Sequence, residues 1–277
     1  MEDWRTSVLM AAYHRAEPAH LAEALESMFS QTLAPDEIVF VEDGPLGEPL
    51  RRVLDSYQGK DIPLVRVALA ENSGLAVALQ AGLDVARYPW IVRMDADDIS
   101  VPHRLATQMA ALREGGIDVI GSAVSEFDGD PTNVVGMRSL PLDHHAIVRY
   151  ARMNNPINHP SVVMRREHLV AVGGYRSVPF MEDYDLFARL LAHGSVFRNL
   201  AEPLLLFRAG DAMFSRRTAP GMFRAERLMQ RNLVGYGLVS RPRSWLNLVA
   251  RSAFRALPRS AMRRSYRVLF YRSRDAS

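Results

Sequence analysis

The chain has 277 residues, 48% of them hydrophobic and 23% charged, which is the balance of an ordinary globular protein. It contains no cysteine, which excludes disulfides and thiolate metal sites and makes the cytoplasm the simplest compartment. The net charge of +3 hides a split: residues 241–277 carry ten Arg and one Asp, whereas residues 1–240 sum to −6. A mildly acidic body with a basic tail points to an anionic partner for the tail, either a phospholipid surface or a nucleic acid. Met1-Glu2-Asp3-Trp4-Arg5 does not read as a secretory leader, being acidic and without an apolar stretch. The longest runs free of Asp, Glu, Lys and Arg, 72–83 and 153–164, have twelve residues, too few to span a bilayer.

Ser7–Ala12 predicts a short buried strand. Residues 18–31 predict an amphipathic helix, with Leu21, Leu25 and Met28 spaced by four and three. Glu37–Val41 is the next strand, stopped at Glu42-Asp43-Gly44-Pro45 by a Gly-Pro turn. A helix over 48–57 and a strand over Leu64–Ala68 follow. Asn72 or Ser73 is then placed to cap a helix reaching Ala86. Tyr88–Met94 is a fourth strand, running into Asp95, Asp97 and Asp98, and Pro102 opens a helix over 102–113. This alternation predicts a parallel α/β sheet, whose ligands bind beyond the carboxyl ends of the strands. Three of those ends are polar: Tyr13-His14-Arg15, Glu42-Asp43, and Asp95-Ala96-Asp97-Asp98.

Beyond residue 115 the pattern changes. Asp118–Phe127 and Asn133–Met137 read as strands around an Asp128-Gly129-Asp130-Pro131 turn, and 143–152 reads as a helix. Asn154–Pro160 is a loop, Val162–Met164 a strand, and a short helix stops at Gly173-Gly174. Glu182-Asp183-Tyr184-Asp185 starts a helix to His193, its acids suiting the positive end of the helix dipole. Strands over 195–199 and 203–208 precede a basic loop, and 220–277 reads as helical.

Asp95-Ala96-Asp97 is a D-x-D pattern, which can present two carboxylates to a hard divalent cation such as Mg²⁺ or Mn²⁺. The same residues also suit a solvated acidic turn, with Asp98 or Ser100 capping the next helix. Asp183, beside Glu182, has the chemistry of a general base, or of an acid that offsets the helix dipole. Asp43 can equally be a turn residue, Tyr13 a sheet-rim aromatic and His159 a hydrogen-bonded loop histidine. No second His stands at zinc-ligand spacing, and no phosphate-binding glycine loop or Gly-x-Ser-x-Gly occurs.

Taken together, these segments resemble the family 2 inverting glycosyltransferases of the GT-A fold. The resemblance runs from Ser7–Tyr13 through Glu37–Pro45, Asn72–Leu75, Asp95–Asp98 and Pro102–Arg104 to Asn155–Ser161 and Glu182–Leu186, covering about 5–217. The pieces VEDGP, NPINHPS and EDYDL are similar to the amylovoran-type subgroup, which builds exopolysaccharide and capsule. The resemblance implies a single Rossmann-like, mostly parallel sheet with flanking helices. A GT-A catalytic domain would occupy 1–217, with a nucleotide-sugar half to about 115 and an acceptor half over 116–217. A basic helical extension would follow over 218–277.

The resemblance implies that Asp43 hydrogen-bonds the donor's nucleobase and Tyr13 lies against it. Asp95 and Asp97 sit at the diphosphate and its Mn²⁺ or Mg²⁺, Asp97 being the better direct ligand, and Asp98 is structural. Asp183 is the catalytic base, with Glu182, Asn158 and His159 on the acceptor side. Arg216 and Arg217 add positive charge at the donor diphosphate, or form a solvated basic loop. The implied reaction moves one hexosyl residue from a nucleotide sugar, a UDP-sugar foremost, to a saccharide acceptor linked to polyprenyl diphosphate. Two departures qualify it: Glu42-Asp43-Gly44-Pro45 stands for Asp-Asp-Gly-Ser, and the Gln-x-x-Arg-Trp of processive synthases is absent, favouring single-sugar transfer.

The tail reads as two helices, 243–256 and 259–274, broken at Pro258. Trp245, Leu248 and Val249 form an apolar side of the first. Met262, Tyr266 and Leu269 oppose Arg263, Arg267 and Arg274 in the second. Such helices suit an anionic membrane surface, here the inner leaflet, or else pack on the body; no nucleic-acid motif accompanies the charge. A sugar nucleotidyltransferase is the enzymatic rival, although Tyr13-His14-Arg15-Ala16-Glu17 replaces the glycine-rich loop expected after its first strand. A carbohydrate- or membrane-binding module is the non-catalytic one.

Overall fold

The computed structural model describes residues 3–209 and 221–255. Strands β1 (Thr6–Ala12), β2 (Glu37–Glu42), β3 (Leu64–Ala68) and β4 (Trp90–Arg93) form a parallel group in the order β3-β2-β1-β4. Helices α1 (Pro18–Phe29), α2 (Glu48–Ser56) and α3 (Leu75–Val85) connect them. Successive side chains of a strand point to opposite faces, and β1 separates accordingly. Val8 and Met10 join Leu21, Leu25 and Met28 of α1, whereas Leu9 joins Ala78, Leu79 and Leu83 of α3. All of these are buried, each large aliphatic contributing about 1.5–3 kcal/mol by leaving water.

The sheet then becomes mixed. A two-residue strand β5 (Ile99–Ser100), absent from the sequence reading, pairs antiparallel with β9 (Phe197–Arg208). Helix α4 (Arg104–Arg113) leads into β6 (Val119–Phe127), which lies antiparallel to β7 (Val134–Arg138) and β8 (Val163–Arg165) and parallel to β9. β8 also joins β4, antiparallel, and so unites the two groups in one sheet. Helices α5 (His144–Ala151), α6 (Arg166–Ala171) and α7 (Glu182–His193) complete this half. The two strands expected over 195–208 are one, with register shifts opposite Ser122–Val124 that absorb Ala201-Glu202 and then Leu204.

Two expected caps are replaced. Neither Asn72 nor Ser73 caps α3: its first residue follows Gly74, and the carboxylate of Asp43, from the end of β2, accepts from Ser73 N and Gly74 N instead. Neither Asp98 nor Ser100 caps α4, because β5 intervenes and His103 holds the capping position.

Helices α8 (Met222–Gly235) and α9 (Arg241–Arg255) close the described chain. Met222, Ala225, Met229 and Leu233 of α8 share a core with Tyr184 and Ala188 of α7. Asp185, fully buried in α7, accepts from Asn232 Nδ2 and Tyr236 Oη, each at 2.8 Å, besides its bond from Arg189. Asn247 and Arg251 of α9 face the body, while Trp245, Leu246 and Val249 are exposed, Trp245 by 64%. The first tail helix thus packs on the body by one side and shows an apolar side to solvent. The second expected helix, 259–274, lies outside the described residues, as do Arg216 and Arg217.

Candidate active site

The carboxyl ends of β1, β2 and β4 lie side by side, since β1 is hydrogen-bonded to both neighbours. Beyond β1, Tyr13 is 43% exposed and meets the His14 ring edge-on. Beyond β2, Asp43 is buried, and its two oxygens accept from Ser73 N at 2.7 Å and Gly74 N at 3.1 Å. This closure requires Gly44: its φ is +80°, and a Cβ there would meet Asn72 N at 2.6 Å.

Beyond β4 the three acids separate by environment. Oxygens of Asp95, Asp97 and Asp98 lie within 4.8 Å of one another, Asp97 exposed, Asp95 half-buried and Asp98 1% exposed. Asp95 pairs with the guanidinium of Arg93, a fully buried strand residue that the sequence reading missed. Asp98 accepts from Arg208 N at 2.9 Å, while Arg208 Nε donates to Asp97 O at 2.9 Å and Nη2 to Glu23 Oε2 at 2.5 Å. Arg208, from β9, therefore fastens the acidic turn to the sheet and to α1; it too went unread, because nothing local links it to residue 98.

A divalent cation fits this turn. The second oxygen of Asp98 is buried without a hydrogen-bond partner, and the residue belongs to the same cluster. Burial, then the charges of Asp95 and Asp97, push the Asp98 carboxyl well above its ordinary range. A hard cation offers such oxygens what the protein does not, and all three donors are of the type Mg²⁺ and Mn²⁺ prefer. Asp98, expected to be only structural, is thus both tied to Arg208 and part of the acidic cluster.

Asp183, in the first turn of α7, is half-buried. Its Oδ2 accepts from Asn155 Nδ2 at 2.6 Å and its Oδ1 from Tyr184 N at 2.7 Å. Burial, and then the charge of Glu182 beside it, raise its carboxyl to about 7, in the range suited to a base near neutral pH. Asn155 lies within a motif already noted in the sequence, but its role needed the fold.

His159 and Asn158 are interior. Asn158 Nδ2 donates to Ser122 O at 2.9 Å and Arg138 O at 3.4 Å. His159 Nε2 lies 3.0 Å from Tyr175 Oη; burial, then the charge of Arg93, push its imidazole down to about 3, so it is neutral. Tyr175 in turn is raised by burial, and the carboxylates of Asp183, Asp95 and Glu182 all raise it further against an opposing effect of Arg93. One buried hydroxyl is thus influenced by Asp95 beyond β4 and by Asp183 and Glu182 of α7, and the 155–162 segment joins the two elements, its Asn155 donating to Asp183 and its Val162 O accepting from Arg93 N at 2.9 Å.

A mixed α/β sheet with an acidic turn beyond β4 fits the GT-A fold that the sequence resemblance implies. The description Glycosyl transferase family 2 matches residues 7–173, and the chain belongs to that family. It is 35% identical over 261 residues to the amylovoran biosynthesis glycosyltransferase AmsE of Erwinia amylovora, covering 94% of this chain and 97% of AmsE. It is 32% identical to a UDP-Gal:alpha-D-GlcNAc-diphosphoundecaprenol beta-1,3-galactosyltransferase of Escherichia coli, covering 77% of this chain and 75% of that one. Among solved structures, S. aureus TarS 1-349 in complex with UDP-GlcNAc shares the fold at a TM-score of 0.69 and 17% identity, over 96% of this chain and 75% of that chain. The mannosyltransferase PcManGT of Pyrobaculum calidifontis, in complex with GDP-Man and Mn²⁺, does so at 0.58 and 19%, over 96% and 80%. The GT-A fold and the family expected from the sequence are thereby established.

Proposed function

We propose that this glycosyltransferase moves one hexosyl residue, with inversion, from a UDP-sugar to a saccharide acceptor carried on polyprenyl diphosphate, for exopolysaccharide, capsule or O-antigen. The observation that carries the reading is the cluster of Asp95, Asp97 and Asp98 beyond β4, together with Asp183 of α7 held by the Asn155 amide. One suits a diphosphate with its cation and the other suits a hydroxyl proton, and an in-line displacement at an anomeric carbon needs both. The E. coli relative's name supplies a precedent for donor and acceptor, and galactose is the first sugar to test.

In this reading Tyr13 lies against the nucleobase and Asp43 hydrogen-bonds it. A carboxylate has about four acceptor sites, so the two backbone bonds of Asp43 leave it capacity. Asp95 and Asp97, with Asp98 beside them, would hold Mg²⁺ or Mn²⁺, which when bound neutralises charge developing on the leaving diphosphate. Asp183 takes the acceptor hydroxyl proton while that oxygen bonds the anomeric carbon and the bond to the nucleoside diphosphate breaks on the opposite side. Asn155 orients the carboxylate for this transfer.

No helix among the described residues is long and apolar enough to cross a membrane. Peripheral attachment to the inner leaflet is supported by the exposed Trp245, Leu246 and Val249 next to Arg241 and Arg243. The whole reading is tested by offering UDP-sugars with a polyprenyl-diphosphate saccharide, with Mn²⁺ and with chelator. Metal-dependent transfer with an inverted product is expected; absence of metal-dependent UDP binding refutes it.

A further inference from the structure

The inward side of α9 reaches the segment that ends at the proposed base. Asn247 Nδ2 donates to Arg152 O at 2.7 Å. Arg251 Nη1 donates to Met153 O at 2.5 Å and to Asn154 Oδ1 at 3.1 Å. Three consecutive residues are therefore held from one helix, and the next, Asn155, donates to Asp183. Arg251 is itself fixed, since its Nε donates to Glu226 Oε1 at 2.7 Å and Glu226 is fully buried in α8. A buried carboxylate that lost this cation would be strongly destabilised, so the pair locks Arg251 in one place.

We infer that Arg251 is a positioning residue for sugar transfer, holding the 153–155 segment so that the Asn155 amide stays on Asp183. The inference rests on the reading of Asp183 as general base. The groups around that carboxylate are Glu182 on its own helix, the Asn155 amide on the facing loop, and the Tyr175 hydroxyl, which Asp95 and Arg93 also influence. Of these, the Asn155 N–H stabilises the ionised carboxylate, and its loss moves the titration of Asp183 upward. A helix well removed in sequence would thus act on the base through one loop, and the same helix carries the exposed apolar side of Trp245, Leu246 and Val249.

The test uses the full chain and follows kcat/KM across about pH 5.5 to 9, where its acid limb reports the base of the free enzyme. Three variants are compared: Asn155→Ala, the pair Glu226→Gln with Arg251→Met, and Arg251→Lys. The pair removes both charges together, so neither is left buried alone. All three are expected to move the acid limb to higher pH and to lower kcat by about 10- to 100-fold at pH 7, as misplacement of a reacting group does. Metal-dependent UDP binding and the donor KM stay as in the wild type. An acid limb that moves in Asn155→Ala but not in the Arg251 variants overturns the inference and leaves the base intact. Should the pair variant fail to fold, Arg251→Lys decides alone, since it keeps a cation against Glu226 but not the forked reach. Near-normal turnover in Asp183→Asn marks the separate failure of the base itself.

Discussion

The first half of the sheet, β1 to β4, and the half that follows it hold their acids in different ways. Asp43 rests on two backbone N–H groups contributed by the loop before α3, and Gly44 makes that approach possible. Asp183 rests on one side-chain amide and its neighbour's N–H, faces Glu182, and is raised to about 7. The first arrangement is a fixed acceptor built by main-chain geometry. The second is a carboxylate kept close to its protonated form by its surroundings, which suits the proton transfer proposed for it. The acidic turn beyond β4 differs from both: Arg93 and Arg208 fasten it, yet burial, and then repulsion from Asp95 and Asp97, raise Asp98.

The largest effect should come from that turn. Asp97→Ala is expected to abolish metal-dependent UDP binding in calorimetry and to reduce transfer by about a thousandfold or more, in line with the loss of charge stabilisation. It should not lower the melting temperature, because it relieves repulsion on buried Asp98. Retained metal-dependent binding would move the cation site elsewhere.

Asp183→Asn comes next. Transfer should fall by about 10²- to 10⁴-fold while UDP binding persists, the range for loss of a general base. In the wild type, kcat/KM should rise with pH through about 7, the point at which Asp183 ionises. Stability should move the other way. A carboxyl raised from its ordinary 3.8 to about 7 holds its proton longer folded than unfolded, so its contribution to stability is lost as pH rises through that window. The Asn variant should therefore melt higher than the wild type at pH 8 and converge with it near pH 4. A difference independent of pH would show that the comparison between the two acids has been drawn wrongly.

Gly44→Ala tests the donor side by structure alone. With φ +80° and Asn72 N at 2.6 Å from the added carbon, it should cost about 1–3 kcal/mol and weaken UDP binding together with stability. Loss of binding with unchanged melting would mean the Asp43 loop is softer than its hydrogen bonds imply. The smallest effect on chemistry is expected from Trp245→Glu with Leu246→Glu. Both residues are exposed, so melting and transfer to a soluble acceptor should hold while flotation with anionic liposomes is lost. Unchanged flotation would sink the membrane reading of α9.

Much of this was legible in the chain itself. The parallel strands and their helices follow from period-two and period-3.6 patterns, and Leu21, Leu25 and Met28 are buried as their spacing requires. The D-x-D turn and Glu182-Asp183 stand out because carboxylates clustered at element ends are costly without a purpose. Arg93, Arg208, Tyr175 and Arg251 could not be singled out. An arginine in a strand or helix carries no local sign that it is buried, Arg93 included although its partner Asp95 is near, and the partners of the other two arginines are distant in sequence: Arg208 meets residues 97 and 98, and Arg251 meets residues 153 and 226.

By itself, then, the sequence determined the main strands and helices and which strand ends carry acids, because those depend on short-range periodicity and turn chemistry, whereas the short β5 and the continuity of β9 depend on pairing across the sheet. The tertiary structure decided the environment of each acid. Whether a carboxylate lies beside a backbone N–H, a buried guanidinium or another carboxylate depends on packing between remote segments. That environment separates Asp43, fixed by two backbone N–H groups, Asp98, buried in the acidic turn with one oxygen unpartnered, and Asp183, whose carboxyl burial and Glu182 raise to about 7.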